Sequence, residues 1–240
     1  MIEVNGFSLS LLLAAAGIAV THAILGPDHY LPFLMLAKAR GWSRARTLLV
    51  TAICGLGHVL SSMALGVVGL GIGAGLGWVE RIEGQRGDWA AWALVWFGLA
   101  YTLWGVRKAL KRRQGLDPHS HHHGHVHIHT GGGHEHHHAA EVDRHDSAST
   151  FWALFVVFVL GPCEPLIPLF VLPASRGDWG LAALTGGVFG VVTVASMLVL
   201  VLIGHAGLSR LPLGPMARWA HAMAGAVVMG SGLAVIYLGL

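Results

Sequence analysis

Leu25-Gly26-Pro27-Asp28-His29 interrupts an apolar stretch that runs from about residue 8 to residue 37, and Leu160-Gly161-Pro162-Cys163-Glu164 interrupts another between about 151 and 174. Proline lacks an amide donor and pushes the residue before it out of the helical region, so each Gly-Pro step ends a helix inside an apolar segment. Pro32, Pro165 and Pro168 prolong the two interruptions. Directly after each break stand two potential metal ligands. Ionisable groups in hydrocarbon cost on the order of 2.5 to 3.5 kcal/mol each, so at such positions they mark a transport path or a partnered site.

The rest of the 240-residue chain fits a membrane setting: 54% of it is hydrophobic and only 11% charged, too little polar surface for a soluble domain of this length. Apolar runs near 8–37, 47–77, 89–106, 151–174, 180–203 and 216–239 each come close to the ~20 residues that cross ~30 Å of hydrocarbon. The pattern predicts an all-α polytopic membrane protein of six transmembrane helices. The first run has no basic start and carries Asp28 and His29, so it is expected to be a retained span rather than a secretory signal. Cys54 and Cys163 lie in different runs, which leaves no disulfide framework to argue for.

Basic residues are retained on the cytoplasmic side of a membrane. Lys38, Arg40, Arg44 and Arg46 follow the first run, Arg107, Lys108, Lys111, Arg112, Arg113 and Arg144 flank the gap after the third, and Arg210 and Arg218 separate the fifth from the sixth. The opposite connections hold Arg81, Arg86 and Arg176, accompanied by Glu80, Glu83, Asp88 and Asp178. The expectation is a protein of the cytoplasmic (inner) membrane with both termini outside. The net charge of +3 needs no nucleic-acid partner, since topology alone accounts for the basic residues.

The two breaks belong to a longer correspondence. Thr51, Ser62 and Met63 map onto Thr185, Ser196 and Met197, and Gly98-Leu99-Ala100 with Gly105 map onto Gly232-Leu233-Ala234 with Gly239, all at an offset of 134, against 135 for the Leu-Gly-Pro steps. Three spans per half is an odd number, so the second copy would enter the membrane upside down. The expected organisation is a first three-span repeat over 1–110, a His-rich cytoplasmic loop over 111–150 and a second repeat over 151–240, with the first helix of each repeat broken. Transporters built as inverted repeats bind substrate near the midplane, where interrupted helices meet.

His22 lies one turn before the first break, where the carbonyl end of a half-helix suits cations. Together with Asp28 and His29 it makes a nitrogen and oxygen cluster, and Cys163 with Glu164 adds sulfur and a second carboxylate. Imidazole with carboxylate suits nickel, cobalt, zinc or iron, whereas calcium and magnesium take mostly oxygen. His58, in the run Gly55-Leu56-Gly57-His58, is a further candidate. Against this stands the reading of Asp28 and Glu164 as caps of half-helices, whose positive N-termini favour an anion. His205 and His221 read as hydrogen-bonded core histidines, Ser61 and Ser62 as helix packing, Met35 and Met63 as core, and Cys54 as a thiol without a partner.

His119, His121, His122, His123, His125, His127, His129, His134, His136, His137 and His138 form a glycine-interrupted tract in the connection between the third and fourth runs. Such a density of neutral imidazoles binds borderline divalent metals in many exchangeable geometries, and no fold should be forced on it. A flexible cytoplasmic buffer or sensor is expected.

His22, five intervening residues and Asp28-His29, with the His-rich loop, resemble the nickel/cobalt transporter superfamily and its urease-accessory membrane branch. The family's nickel permeases carry a histidine, four residues and Asp-His on an early span; here the spacing is one residue longer. The resemblance implies that His22, Asp28 and His29 hold the metal. Gly161-Pro162-Cys163-Glu164-Pro165-Leu166-Ile167-Pro168 resembles the proline-flanked cysteine motif of the cytochrome-c-biogenesis and disulfide-reductase membrane family, which implies an inverted three-plus-three layout. That family uses one cysteine per half, and Asp28 stands where the first would be.

The residues together predict a secondary transporter of a divalent transition metal, nickel or cobalt before zinc or iron, working by alternating access. The metal is substrate; no organic cofactor is expected. The expected ligands are His22, Asp28, His29, His58, Cys163 and Glu164. Protons are the expected coupling ion, because the same groups lose protons to take metal. No phosphate-cradling GxxxxGK[ST] loop is present, so neither ATP use nor enzymatic activity is expected. Two other readings use the same residues: an exporter of a sulfite- or sulfonate-type anion, and a membrane thiol-redox carrier cycling Cys163.

Overall fold

The computed structural model describes residues 6–73, 75–113, 144–210 and 214–239, so the histidine tract and most of the expected 111–150 loop lie outside the described residues. All regular structure among them is helical: α1 (Gly6–Leu25), a 3-10 turn (Pro27–His29), α2 (Leu31–Arg40), α3 (Arg44–Gly71), α4 (Leu76–Arg113), α5 (Arg144–Leu160), α6 (Leu166–Ser175), α7 (Trp179–Arg210), a second 3-10 turn (Gly214–Trp219) and α8 (Ala220–Leu238). Five helical segments among the described residues are long and apolar enough to cross a membrane: α1, α3, α4, α7 and Met216–Leu238, which contains α8. The run expected as a fourth span is instead a pair of shorter helices, α5 and α6, on either side of Gly161-Pro162.

Large apolar side chains cover the outside. Leu13, Leu60, Val191 and Ile203 are 65, 59, 71 and 65% exposed, on helices that carry few charges on any face. A helix that is apolar all round needs either a deep protein core or lipid, and these side chains have no protein over them.

Inside, small residues let backbones touch. The most extensive helix contact joins α4 to α8. A methyl group on Gly98 would lie 2.7 Å from the Met229 Cα, and one on Gly232 would lie 2.9 Å from the Ala91 carbonyl oxygen. Lipid tails are as apolar as leucine, so membrane helices associate through such close packing rather than through hydrophobic exclusion. Gly98 and Gly232 are also one of the pairs that mark the sequence correspondence.

The ends of the elements follow local chemistry. Gly41 closes α2 at φ 63°, a left-handed conformation that glycine adopts without strain, and the Ser43 hydroxyl then accepts the Arg46 N–H at 3.3 Å to cap α3. At the first break the Gly26 N–H donates to the His22 carbonyl at 3.0 Å and the His29 N–H to the Gly26 carbonyl at 3.1 Å. The chain therefore finishes α1, makes one tight turn and restarts at Leu31.

One expectation is corrected here. Glu80, Arg81, Glu83, Arg86 and Asp88, expected in an outward connection, instead lie within α4, which begins at Leu76 and runs without proline through them. Glu83 is fully buried. It lies on the inner face of the helix because Arg86, one turn later, pairs with it there.

Candidate metal centre

The first break presents Asp28 and His29 from the 3-10 turn, α1 supplies His22 from its last turn, and α3 supplies His58 from its middle. His22, His29 and His58 each offer a nitrogen, and the three nitrogens lie within 4.8 Å of one another. The ring centroids of His22 and His29 are 4.5 Å apart, those of His29 and His58 5.2 Å, and those of His22 and His58 6.1 Å. His29 and His58 are buried; His22 is partly so.

Hydrogen bonds settle which nitrogens face inward. The Nδ1 of His29 is 3.1 Å from Asp28 Oδ1 and 3.3 Å from the Gly26 carbonyl, both acceptors, so Nδ1 carries the proton. The Nδ1 of His58 donates to the Phe158 carbonyl at 3.3 Å. In each neutral ring the Nε2 lone pair is then left bare, and Nε2 of both His29 and His58 is buried with no partner. A buried acceptor without a partner costs about 1–3 kcal/mol, a cost that a bound metal would relieve. The carboxylate or carbonyl behind each ring is the support that metal-binding histidines use to fix tautomer and orientation.

Cys163, fully buried at the second break, brings its Sγ to 3.9 Å from His22 Nε2. The thiol thus meets the three-imidazole cluster at His22, and Asp28 stands behind the His29 ring. Two nitrogens bound at ~2.1 Å in a tetrahedral shell stand about 3.4 Å apart, so nitrogens spread by up to 4.8 Å would have to approach by up to about 1.4 Å to hold one ion between them. Gly26 has to be glycine for this geometry: a methyl group there would fall 2.8 Å from His29 Cε1 and 2.9 Å from Asp28 Oδ1. A cavity of about 30 Å³, enough for a water molecule, adjoins Asp28 and His58 and is closed by Gly87, Phe158 and Pro162.

Glu164 stands apart from the cluster. It is exposed, and it lines a separate cavity of about 410 Å³ with Glu80, Glu83 and Pro165. His205 Nε2 reaches the Trp42 carbonyl at 3.4 Å, and His221 Nδ1 meets the Tyr101 hydroxyl at 2.9 Å, both away from the cluster. Cys54 and Cys163 are free thiols in different packed clusters.

Sequence reasoning missed a second group of buried polar residues. Glu83 accepts from the Ser62 hydroxyl and from Arg86 Nη1, and its Oε1 also accepts the Cys163 N–H at 3.1 Å. Arg86 Nη2 donates to the Val159 carbonyl at 2.7 Å and to Ser61 Oγ at 2.9 Å. Three of the four carbonyls that the end of α5 leaves open have partners: Val157 in the Gly161 N–H, Phe158 in His58 and Val159 in Arg86. The available signal was the three-residue spacing of Glu83 and Arg86, with Ser61 and Ser62 in the preceding helix.

No protein-family profile, curated protein or solved structure matches this chain.

Proposed function

We propose that the chain is a secondary transporter of a divalent transition metal, nickel or cobalt foremost, and that His22, His29, His58 and Cys163 bind the ion in transit. The observation that carries the reading is the approach of one nitrogen from each of His22, His29 and His58 to within 4.8 Å, together with the buried, unpartnered Nε2 atoms of His29 and His58. Three imidazoles with a sulfur favour borderline ions over magnesium and calcium. The resemblance of His22, Asp28 and His29 to the nickel/cobalt transporter superfamily points the same way.

In this proposal α1 with α2 makes one broken span and α5 with α6 another, which gives six spans as two inverted repeats. Reciprocal packing supports it: α1 meets α7 as α5 meets α3, α2 meets α8 as α6 meets α4, and α2 meets α7 as α6 meets α3. The ion then sits where the two halves meet, and rocking of one half against the other opens it to each side in turn. Binding deprotonates the Cys163 thiol, so that one thiolate and the Asp28 carboxylate neutralise a divalent charge. The released proton links metal movement to a proton gradient. The protein lies in the inner membrane with both termini outside, and the tract from His119 to His138 serves as a cytoplasmic metal buffer or sensor.

The test is calorimetric binding of nickel or cobalt to a variant lacking residues 119–138. A four-ligand site holds borderline metals with roughly 10–16 kcal/mol, so His22→Ala, His29→Ala and His58→Ala should each cost about 3 kcal/mol, near a hundredfold in affinity. Unchanged binding in all three variants would remove the site from consideration.

A further inference from the structure

Resting on the reading of the histidine cluster as a metal site, we propose that Glu83 and Arg86 are positioning residues that decide whether the Cys163 sulfur stands in that site. Both sides of the second break hang on this one pair. Glu83 Oε1 takes the Ser62 hydroxyl and the Cys163 N–H, and the Cys163 N–H also reaches Ser62 Oγ at 3.2 Å. Arg86 holds the other carboxylate oxygen and, through Nη2, the Val159 carbonyl in the last turn of α5.

The remaining freedom of Cys163 is small. Its carbonyl accepts the Leu166 N–H at 2.9 Å, so both its backbone groups are committed. Pro162 precedes it, with φ fixed by the ring. Pro162 itself is seated on α4, where a methyl group on Gly87 would fall 2.7 Å from its Cγ. With backbone fixed on the Glu83 side, the side chain is delivered to the His22 side, 3.9 Å from Nε2. Replacing a buried ion pair by apolar residues is often neutral or stabilising, so what this pair contributes is the conformation it specifies. Here that conformation supplies a sulfur. Three imidazoles alone are a nitrogen site, and the added sulfur shifts preference toward thiophilic ions. Glu83 and Arg86 thereby set metal selectivity without touching the metal.

The experiment uses the full chain carrying Cys54→Ala, so that Cys163 is the sole thiol, and compares it with the same protein carrying Glu83→Gln and Arg86→Gln together. This double change keeps the shape at 83, shortens the side chain at 86 and removes both charges, and the thermal midpoint and monodispersity in detergent report folding. Two readouts follow: the rate of Cys163 alkylation by a small maleimide without metal, and the sulfur-to-cobalt charge-transfer absorption with cobalt(II) added. The histidine tract contributes no sulfur band. The expected result is alkylation about tenfold faster and loss of the band in a folded protein, with Arg86→Lys restoring part of both. Unchanged alkylation and an unchanged band overturn the proposal. Should the double variant not fold, Ser62→Ala removes a single hydroxyl; about threefold faster alkylation supports the proposal and none overturns it. A parent protein whose cobalt uptake falls with His22→Ala but that shows no sulfur band overturns this proposal and leaves the histidine site standing. One whose cobalt uptake is unchanged by His22→Ala, His29→Ala and His58→Ala overturns the metal reading instead, and the alkylation rate then decides the positioning on its own.

Discussion

Asp28→Asn separates the metal reading from the anion reading with the smallest change of shape. The carboxylate lies 3.1 Å from His29 Nδ1 and is partly exposed, and the Gly26 carbonyl at 3.3 Å offers the same proton a second acceptor. An asparagine can keep its own oxygen toward that ring, so His29 stays in place and only the negative charge is lost. The carboxylate acts through the ring rather than on the ion, and loss of such support costs 10- to 100-fold in metal affinity, or about 1.4–2.7 kcal/mol. The assay is calorimetric nickel titration of a variant lacking 119–138, with Glu164→Gln as an internal control. Glu164 is exposed on another cavity, so its neutralisation should change affinity less than about twofold. A cation carrier loses metal binding and transport with Asp28→Asn; an anion carrier gains or keeps transport, because a repelling charge has gone. Affinity within twofold of the parent, or improved anion efflux, would refute the reasoning.

Three further outcomes are expected. Gly26→Ala pushes a methyl group onto His29 and Asp28 while leaving every ligand present, so affinity falls by at least as much as with Asp28→Asn while the thermal midpoint moves little; equal affinity would mean the first break is not the ligand platform. Gly98→Ala drives α4 from α8 and should cost about 1–3 kcal/mol of stability, read as a lowered thermal midpoint of detergent-solubilised protein, with metal affinity retained in the folded fraction. Deleting residues 119–138 should lower whole-protein metal stoichiometry and the metal sensitivity of transport but leave the intramembrane affinity intact; abolished transport would show that the tract belongs to the path.

The helical, lipid-facing character was legible because apolar runs of sufficient length admit few alternatives, and Gly-Pro inside them dictates a stop. His22, Asp28 and His29 were legible as a group because they surround one stop, and Cys163 because it follows the other. Contact between the two stops was visible only through the repeated Leu-Gly-Pro step. Glu83 was misplaced for a physical reason: charges near an apolar boundary look like loop residues until a partner one turn away is seen to neutralise them. Glu164 was grouped with Cys163 because adjacency in sequence does not fix direction. Outside a regular helix, consecutive side chains need not share a face, and here one points into the cluster's surroundings while its neighbour is exposed.

The uninterrupted run of α4 has a mechanical consequence. Its 38 residues extend about 57 Å at 1.5 Å each, nearly twice the thickness of the hydrocarbon layer. The rod must lean or protrude, and it joins Glu83 and Arg86 near one end to Arg107, Lys108 and Lys111 at the other, next to the segment where the histidines begin. A strut of this length cannot tilt at one membrane face without swinging at the opposite face. Glu83 and Arg107, 24 residues apart on this one helix, are thereby held about 36 Å from each other along its axis.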